Sequence, residues 1–160
     1  AIPILGDISR RHAILRRDRG SYVLEAIGPT LLDAREVSGP VVLGENHLIQ
    51  FGKSVRLRFT KPHALSATAR ITLESRHRTA PSADAVLLMA ESCVLGAKRH
   101  SHVNCPGWRH DVILFRQEDG LQVRSSGELS VDGQTVSGAA RIIDGSRIEG
   151  QDFTMGIELV

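Results

Sequence analysis

Apolar residues in this chain recur at every second position, in runs too short for anything but strands. Val55-x-Leu57-x-Phe59, Ile71-x-Leu73, Leu121-x-Val123 and Phe153-x-Met155-x-Ile157 alternate cleanly, and Tyr22-Val23-Leu24, Val86 to Met89 and Val112 to Phe115 form short apolar blocks. In an extended chain successive side chains point to opposite faces, so this period lays one face of a sheet on a core. Gly, Pro, Asp and Ser divide the runs, and Asp119-Gly120, Asp132-Gly133 and Asp144-Gly145 are turn signals. No stretch keeps a helical period over three turns. Apolar residues make up 41% of the chain, enough to fill a core. The expectation is an all-β protein built as sandwiches of many short antiparallel strands.

The pattern also repeats. At a shift of 99 residues Gly28 falls on Gly127, Asp33 on Asp132, Val37-Ser38-Gly39 on Val136-Ser137-Gly138, Glu45 on Asp144 and Ile49 on Ile148. At a shift of 98, His12 meets His110, and Val55, Leu57 and Phe59 meet Phe153, Met155 and Ile157. One loop insertion or deletion accounts for the difference. The reading is two copies of one β module, over residues 1–62 and 67–160. Residues 59–69, with Pro62 and small polar residues, form the expected linker. The first copy is the shorter and is expected to lack its opening strands. The chain starts at Ala1 rather than Met and reads as a fragment or a processed piece. The full-length gene is expected to encode the missing strands, whose gap would otherwise be covered by the second copy or by another molecule.

Composition narrows the function. A formal charge of +2 and 4% aromatics argue against a polyanion binder or a base-stacking platform, and there is no recognition helix, so no nucleic-acid partner is expected. Charge is uneven: residues 1–66 carry ten basic and six acidic side chains, residues 67–160 ten and twelve. An anionic ligand therefore belongs in the first half. No stretch is long enough to span a membrane. Two cysteines, Cys93 and Cys105, make no disulfide framework and are expected reduced, in a cytoplasmic protein. His100, His102, Cys105 and His110 suggest zinc, but no paired cysteine spacing accompanies them, so neither metal nor cofactor is expected.

The stretch Ile8-Ser9-Arg10-Arg11-His12 precedes an apolar strand. It reads as a nucleophile with its base, a nucleic-acid contact or a phosphate seat. Three residues apart on a loop or strand, Ser9 and His12 are poorly spaced for catalysis, and no third group orients the imidazole, so no enzyme is expected. The Ser-Arg-x-His pattern in a small β-sandwich resembles the forkhead-associated (FHA) domain, a phosphothreonine-binding module. Ser9 to His12 fit the family's Ser-x-x-His, Tyr22 to Glu25 the strand after it, and Gly28-Pro29-Thr30 the place of its Asn-Gly-Thr. Glu45-Asn46 takes the place of the late turn, before Phe51-Gly52.

The resemblance implies two FHA-like antiparallel β-sandwiches. It makes Ser9, Arg10, Gly28 and Thr30 the phosphopeptide-binding residues, and His12 and His110 structural braces of their loops. Gly28 stands where the family's backbone-gripping Asn would be. In the second copy, Leu95-Gly96-Ala97 replaces the early Leu-Gly-Arg, Gly107-Trp108-Arg109-His110 the Ser-x-x-His, and Gly127-Glu128-Leu129 the Asn-Gly-Thr, so that copy is degenerate. The implied function is a protein–protein interaction module of a signalling or regulatory protein, whose partner is a phosphothreonine-containing protein or peptide. The alternative is a phosphate-independent scaffold or assembly module, with self-association open to it.

Overall fold

The alternating runs fold as strands, and no helix forms among the residues described, 1–158 of the computed structural model. Two compact units divide the chain, Ala1–Ala90 and a second from Glu91 onward. Unit 1 holds eleven strands: β1 (Ile4–Leu5), β2 (Ala13–Asp18), β3 (Ser21–Ala26), β4 (Thr30–Leu32), β5 (Arg35–Glu36), β6 (Val41–Leu43), β7 (Asn46–Phe51), β8 (Val55–Thr60), β9 (Ala69–Leu73), β10 (Arg78–Thr79) and β11 (Val86–Leu88). One sheet runs β2-β3-β6, a second β11-β9-β8-β7-β4-β5, and β1 pairs with β10. All these pairings are antiparallel. Tyr22, Leu24 and Leu43 of the smaller sheet meet Ile49, Phe51, Val55, Leu57, Phe59, Ala69 and Ile71 of the larger in one core.

The expected linker at residues 59–69 does not part the two units. It contains the connection between two neighbouring strands of one sheet. Leu57 lies opposite Leu73 and Phe59 opposite Ile71, so the alternation of β9 continues that of β8 on the core face. The boundary of unit 1 consequently falls at residue 90 rather than 62. The segment 69–88, expected to open the second copy, covers the edge that β8 would otherwise leave bare. Tyr22 fastens it: the hydroxyl is 2.7 Å from Ala67 O and 3.0 Å from Leu88 O, and donates its one proton to either. Thr68, fully buried, accepts the Ala90 N–H at 2.9 Å.

Unit 2 holds β12 (Ser92–Gly96), β13 (Val103–Asn104), β14 (Val112–Gln117), β15 (Gly120–Ser125), β16 (Leu129–Val131), β17 (Gln134–Thr135), β18 (Ala139–Arg141), β19 (Arg147–Gly150) and β20 (Thr154–Gly156). Its sheets run β13-β12-β14-β15-β18 and β17-β16-β19-β20. Among the described residues only β12 and β13 pair in parallel. Val112, Val123, Leu129, Val131, Ile142 and Ile148 form its core. Residues 159 and 160, the end of the expected second domain, lie outside the described residues.

Registers recur between the units. Leu15 faces Leu24, and Leu114 faces Val123; Leu32 faces Ile49, and Val131 faces Ile148; each pair is displaced by 99. Ile49 faces Leu57 and Ile148 faces Met155, so β20 stands at 98 from β8 and a residue is lost in the turn before it. The turn after β4 is held the same way in both. Asp33 and Asp132 adopt positive φ, 48° and 51°. Asp33 Oδ1 accepts the Leu48 N–H at 2.9 Å, and Asp132 Oδ1 the Arg147 N–H at 2.7 Å. Aspartate tolerates this left-handed backbone because its short side chain bonds locally. His47 Nδ1 donates to Asp33 Oδ2 at 2.6 Å, while its Nε2 accepts the Gly44 N–H at 2.8 Å. Bonding by His47 first, and by Leu48 N–H second, holds the Asp33 carboxyl below its ordinary value.

Two outcomes are expected. Tyr22→Phe leaves carbonyls at Ala67 and Leu88 without their donor and costs about 1–2 kcal/mol. Amide exchange should quicken in β9 and β11 and stay unchanged in β14 and β15. Asp33 gives a pH signature. A carboxyl whose folded pKa is depressed stabilises fully above its unfolded value and loses that contribution as pH falls through the folded one. Asp33→Asn keeps an acceptor for Leu48 but removes the charge. Its stability deficit against the parent, followed by urea unfolding, should be constant near neutral pH and close below the ordinary carboxyl value of 3.8.

Candidate functional site

Three loops of unit 1 meet at one imidazole. His12, the last residue before β2, is 7% exposed. Its Nδ1 accepts the Ser9 N–H at 3.2 Å, and its Nε2 donates to Pro29 O at 2.9 Å. Its own carbonyl accepts the Ile27 and Gly28 N–H groups at 2.9 and 2.8 Å. Pro29 O also accepts the Gly52 N–H at 2.8 Å, and the imidazole packs on Phe51 with centroids 5.1 Å apart. The ring thereby ties residues 9–12 to the 27–29 loop, and through Pro29 to the β7–β8 turn. With both nitrogens committed to backbone, it is no base for Ser9.

Ser9, Arg10 and Arg11 are exposed on the loop that this ring holds. Lys53 is exposed in the neighbouring β7–β8 turn. Unit 1 carries thirteen basic and eight acidic residues over 1–90. An exposed serine hydroxyl and two arginines on one held loop are donors of the kind a phosphate accepts. Gly28 lies against the brace itself. A Cβ there would come within 2.6 Å of His12 Cε1 and 2.8 Å of Nδ1, so the position admits no side chain while the ring keeps its bonds. Thr30, expected among the phosphopeptide-binding residues, turns inward. It is only 2% exposed, and its hydroxyl donates to Gly28 O at 2.9 Å. It stiffens the 28–30 turn from within, and the groups facing solvent are Ser9 and Arg10.

Unit 2 lacks this arrangement. His110 is exposed, and its Nδ1 lies 3.4 Å from Ser126 Oγ. A Cβ on Gly127 would still strike its ring, at 2.5 Å from Cδ2. Gly107 supplies no hydroxyl. The loop is pinned instead by Asp152, whose Oδ2 accepts the Arg109 N–H at 3.0 Å, and by Trp108 stacked on Phe153 at 4.0 Å. A carboxylate thus holds the loop end, with the exposed Arg109 guanidinium 4.0 Å from it.

The histidines that suggested zinc are dispersed to other tasks. His102 is 1% exposed and its Nδ1 accepts the Val94 N–H at 2.9 Å, fixing β12. Nothing in the sequence distinguished it from a surface histidine, because the signal is a contact eight residues away. Among the described residues no three His, Cys, Asp or Glu side chains gather as a metal site. Cys93 and Cys105 are free thiols. Burial first, and Cys105 second, push the Cys93 thiol up to about 11, so it is protonated at neutral pH.

The brace makes a sharp expectation at Gly28. Gly28→Ala forces the imbedded ring off its two partners and costs about 1–3 kcal/mol, as overpacking does. Nuclear magnetic resonance should show the Ser9 amide losing its hydrogen-bonded shift, while Gly39→Ala, where open space surrounds the backbone, leaves it in place.

Comparison with known proteins meets this geometry at its centre. The FHA domain family model matches residues 5–52. No curated protein and no solved structure matches the chain. Residues 5–52, which run from the end of β1 through β7 to Gly52 and contain the whole His12 brace, are similar to the FHA domain, a phosphopeptide-binding interaction module, and support that family for this part of the chain.

Proposed function

We propose that unit 1 recognises phosphothreonine peptides through Ser9 and Arg10, as an interaction module of a signalling or regulatory protein, and that the chain is a tandem of FHA-like units whose second has lost its phosphate seat. The observation that carries this reading is the exposed Ser9-Arg10-Arg11 loop, held by the buried His12 within the stretch matched to the FHA domain. The Ser9 loop is held through its own N–H on His12, so less ordering entropy opposes capture of a phosphate. The excess of basic groups in unit 1 favours the same ligand class, and the ten acidic against seven basic residues from 91 to 160 disfavour it in unit 2.

A second reading keeps the fold and drops the phosphate. Gly28 supplies no side chain to grip a peptide backbone, and the Thr30 hydroxyl is turned inward. Both favour a phosphate-independent scaffold. Binding of this chain to a phosphothreonine peptide library, against the unphosphorylated library, separates the two. Phosphate-dependent binding weakened about ten- to a hundredfold by Ser9→Ala is expected, the loss of one hydrogen bond to a charged group. Equal binding to both libraries, or no effect of Ser9→Ala, transfers the function to the scaffold reading.

A further inference from the structure

The connection into β7 of unit 1 and the one into β19 of unit 2 are held by different side chains with one task. In unit 2 the Ser146 hydroxyl donates to Asp132 Oδ2 at 3.2 Å and accepts the Ile143 N–H at 3.0 Å. In unit 1, 99 residues earlier, His47 Nδ1 donates to Asp33 Oδ2 at 2.6 Å and Nε2 accepts the Gly44 N–H at 2.8 Å. Each side chain stands between a carboxylate that needs a donor and a backbone N–H that needs an acceptor. That demand fixes the tautomer of His47, with the proton on Nδ1 and the lone pair on Nε2. A hydroxyl meets both needs whatever the pH near neutrality. An imidazole meets both only while neutral, because protonation makes each nitrogen a donor.

Protonation of His47 sets two donors, Nε2–H and the Gly44 N–H, against each other across 2.8 Å. Either the ring or the turn must yield, and the surroundings decide which. The bond from the ring to Asp33 becomes an ion pair, and Asp33 is itself held by β7: its Oδ1 accepts the Leu48 N–H, and its own N–H donates to Leu48 O at 2.9 Å. Its carboxyl lies below the ordinary value, so it keeps its charge while an imidazole titrates. Gly44 is exposed, and water can satisfy its N–H once the turn lets go. Of the other charges, Arg58 neighbours Asp33 but is engaged by Glu74 at 2.7 Å, and Glu45 and Lys61 stand at the turn, where Lys61 N–H donates to Glu45 O at 2.7 Å. Phe59, opposite the histidine on β8, carries none. We infer that the His47–Gly44 contact is a pH-sensitive latch on the β6–β7 turn, closed by the neutral imidazole and released by the imidazolium, and that Ser146 gives unit 2 the same hold without the switch. The release is local, since the β4–β5 turn keeps its hold on β7 and gains an ion pair. The latch lies at the start of β7 and the Phe51–Gly52 contacts of the His12 brace at its far end. It therefore stands or falls independently of phosphate recognition by Ser9.

The test is a nuclear magnetic resonance titration of the full chain from about pH 8 to pH 5, the span in which imidazoles change charge. It reads the His47 ring resonance and the amide protection factors, corrected for the intrinsic pH dependence of exchange. Protection of the Gly44 amide should fall about three- to tenfold, as for the loss of one backbone hydrogen bond, with the midpoint of the His47 ring. The Leu48 amide, on Asp33 Oδ1, and the Ile143 amide, on Ser146, should keep their protection throughout. His47→Gln sets an acceptor that does not titrate at the place of Nε2, and the Gly44 step should vanish. The titration of the unmodified chain needs no variant to fold and decides the matter alone. A Gly44 amide that keeps its protection while the His47 ring titrates overturns the inference, and so does a ring that does not titrate down to pH 5. Parallel loss of protection at Leu48 overturns it too, because the ring and Asp33 have then parted rather than the turn. A Gly44 step that persists in His47→Gln assigns the effect to another group and overturns it as well.

Discussion

The candidate site of unit 1 depends on one histidine, whose imidazole bonds to two backbone groups and packs on one apolar ring. Loops carry polar groups that no strand satisfies, and three loops at one end of a sandwich would otherwise drift independently. His12 answers three of those needs at once, accepting from Ser9, donating to Pro29 and offering its carbonyl to residues 27 and 28. The requirement propagates outward. The ring needs space, so residue 28 is glycine. The glycine needs a fixed turn, so the Thr30 hydroxyl is drawn inward to its carbonyl. Only after these demands are met do Ser9 and Arg10 remain free to face solvent. The exposed chemistry is what the internal bonding leaves over.

Unit 2 shows the same end without the constraint. Gly127 still clears a histidine ring, but His110 lies at the surface and has exchanged a buried brace for a long contact to Ser126. Asp152 and the Trp108–Phe153 stack take over the holding of the loop. Stability of a loop end can be achieved in either way. The surface chemistry differs with it: a carboxylate 4.0 Å from the Arg109 guanidinium stands at the pinning position, and Gly107 stands where unit 1 has Ser9.

Much of the fold was legible because its signals are local. Val55, Leu57 and Phe59 declare a strand by alternation alone, and Asp132-Gly133 a turn by its left-handed backbone. Of the candidate site, Ser9, Arg10 and His12 lie in one short run, and a run is visible in sequence. The inward turn of the Thr30 hydroxyl was not visible, because residue type does not reveal which way a hydroxyl points. The clasp of Asp33 by His47, fourteen residues apart, and the bond from Val94 to His102 depend on strand register and were not visible. The partition of the chain was the largest miss. Pro62 and small polar residues compose a linker and a strand connection equally well, and only the neighbour of β8 decides between them.

That choice of neighbour has a physical basis. An alternating apolar strand with an open edge will accept any other alternating strand that reaches it in register, and β9 lies only a short loop beyond β8. Local closure is entropically favoured over pairing with a more distant edge. Two features then make the arrangement specific. Leu73 and Ile71 continue the core face of Leu57 and Phe59, and the Tyr22 hydroxyl reaches carbonyls at both ends of the added segment. A tyrosine in the smaller sheet that bonds to the larger one fixes the spacing of the two layers as well as the position of the strands. Since Ser9 and Arg10 sit on a loop entering the smaller sheet, and the turn that shares Pro29 with His12 belongs to the larger, the geometry of the candidate site follows from that spacing. The segment 69–88, far from the site in sequence and outside the stretch that resembles the FHA domain, thereby helps to set its dimensions.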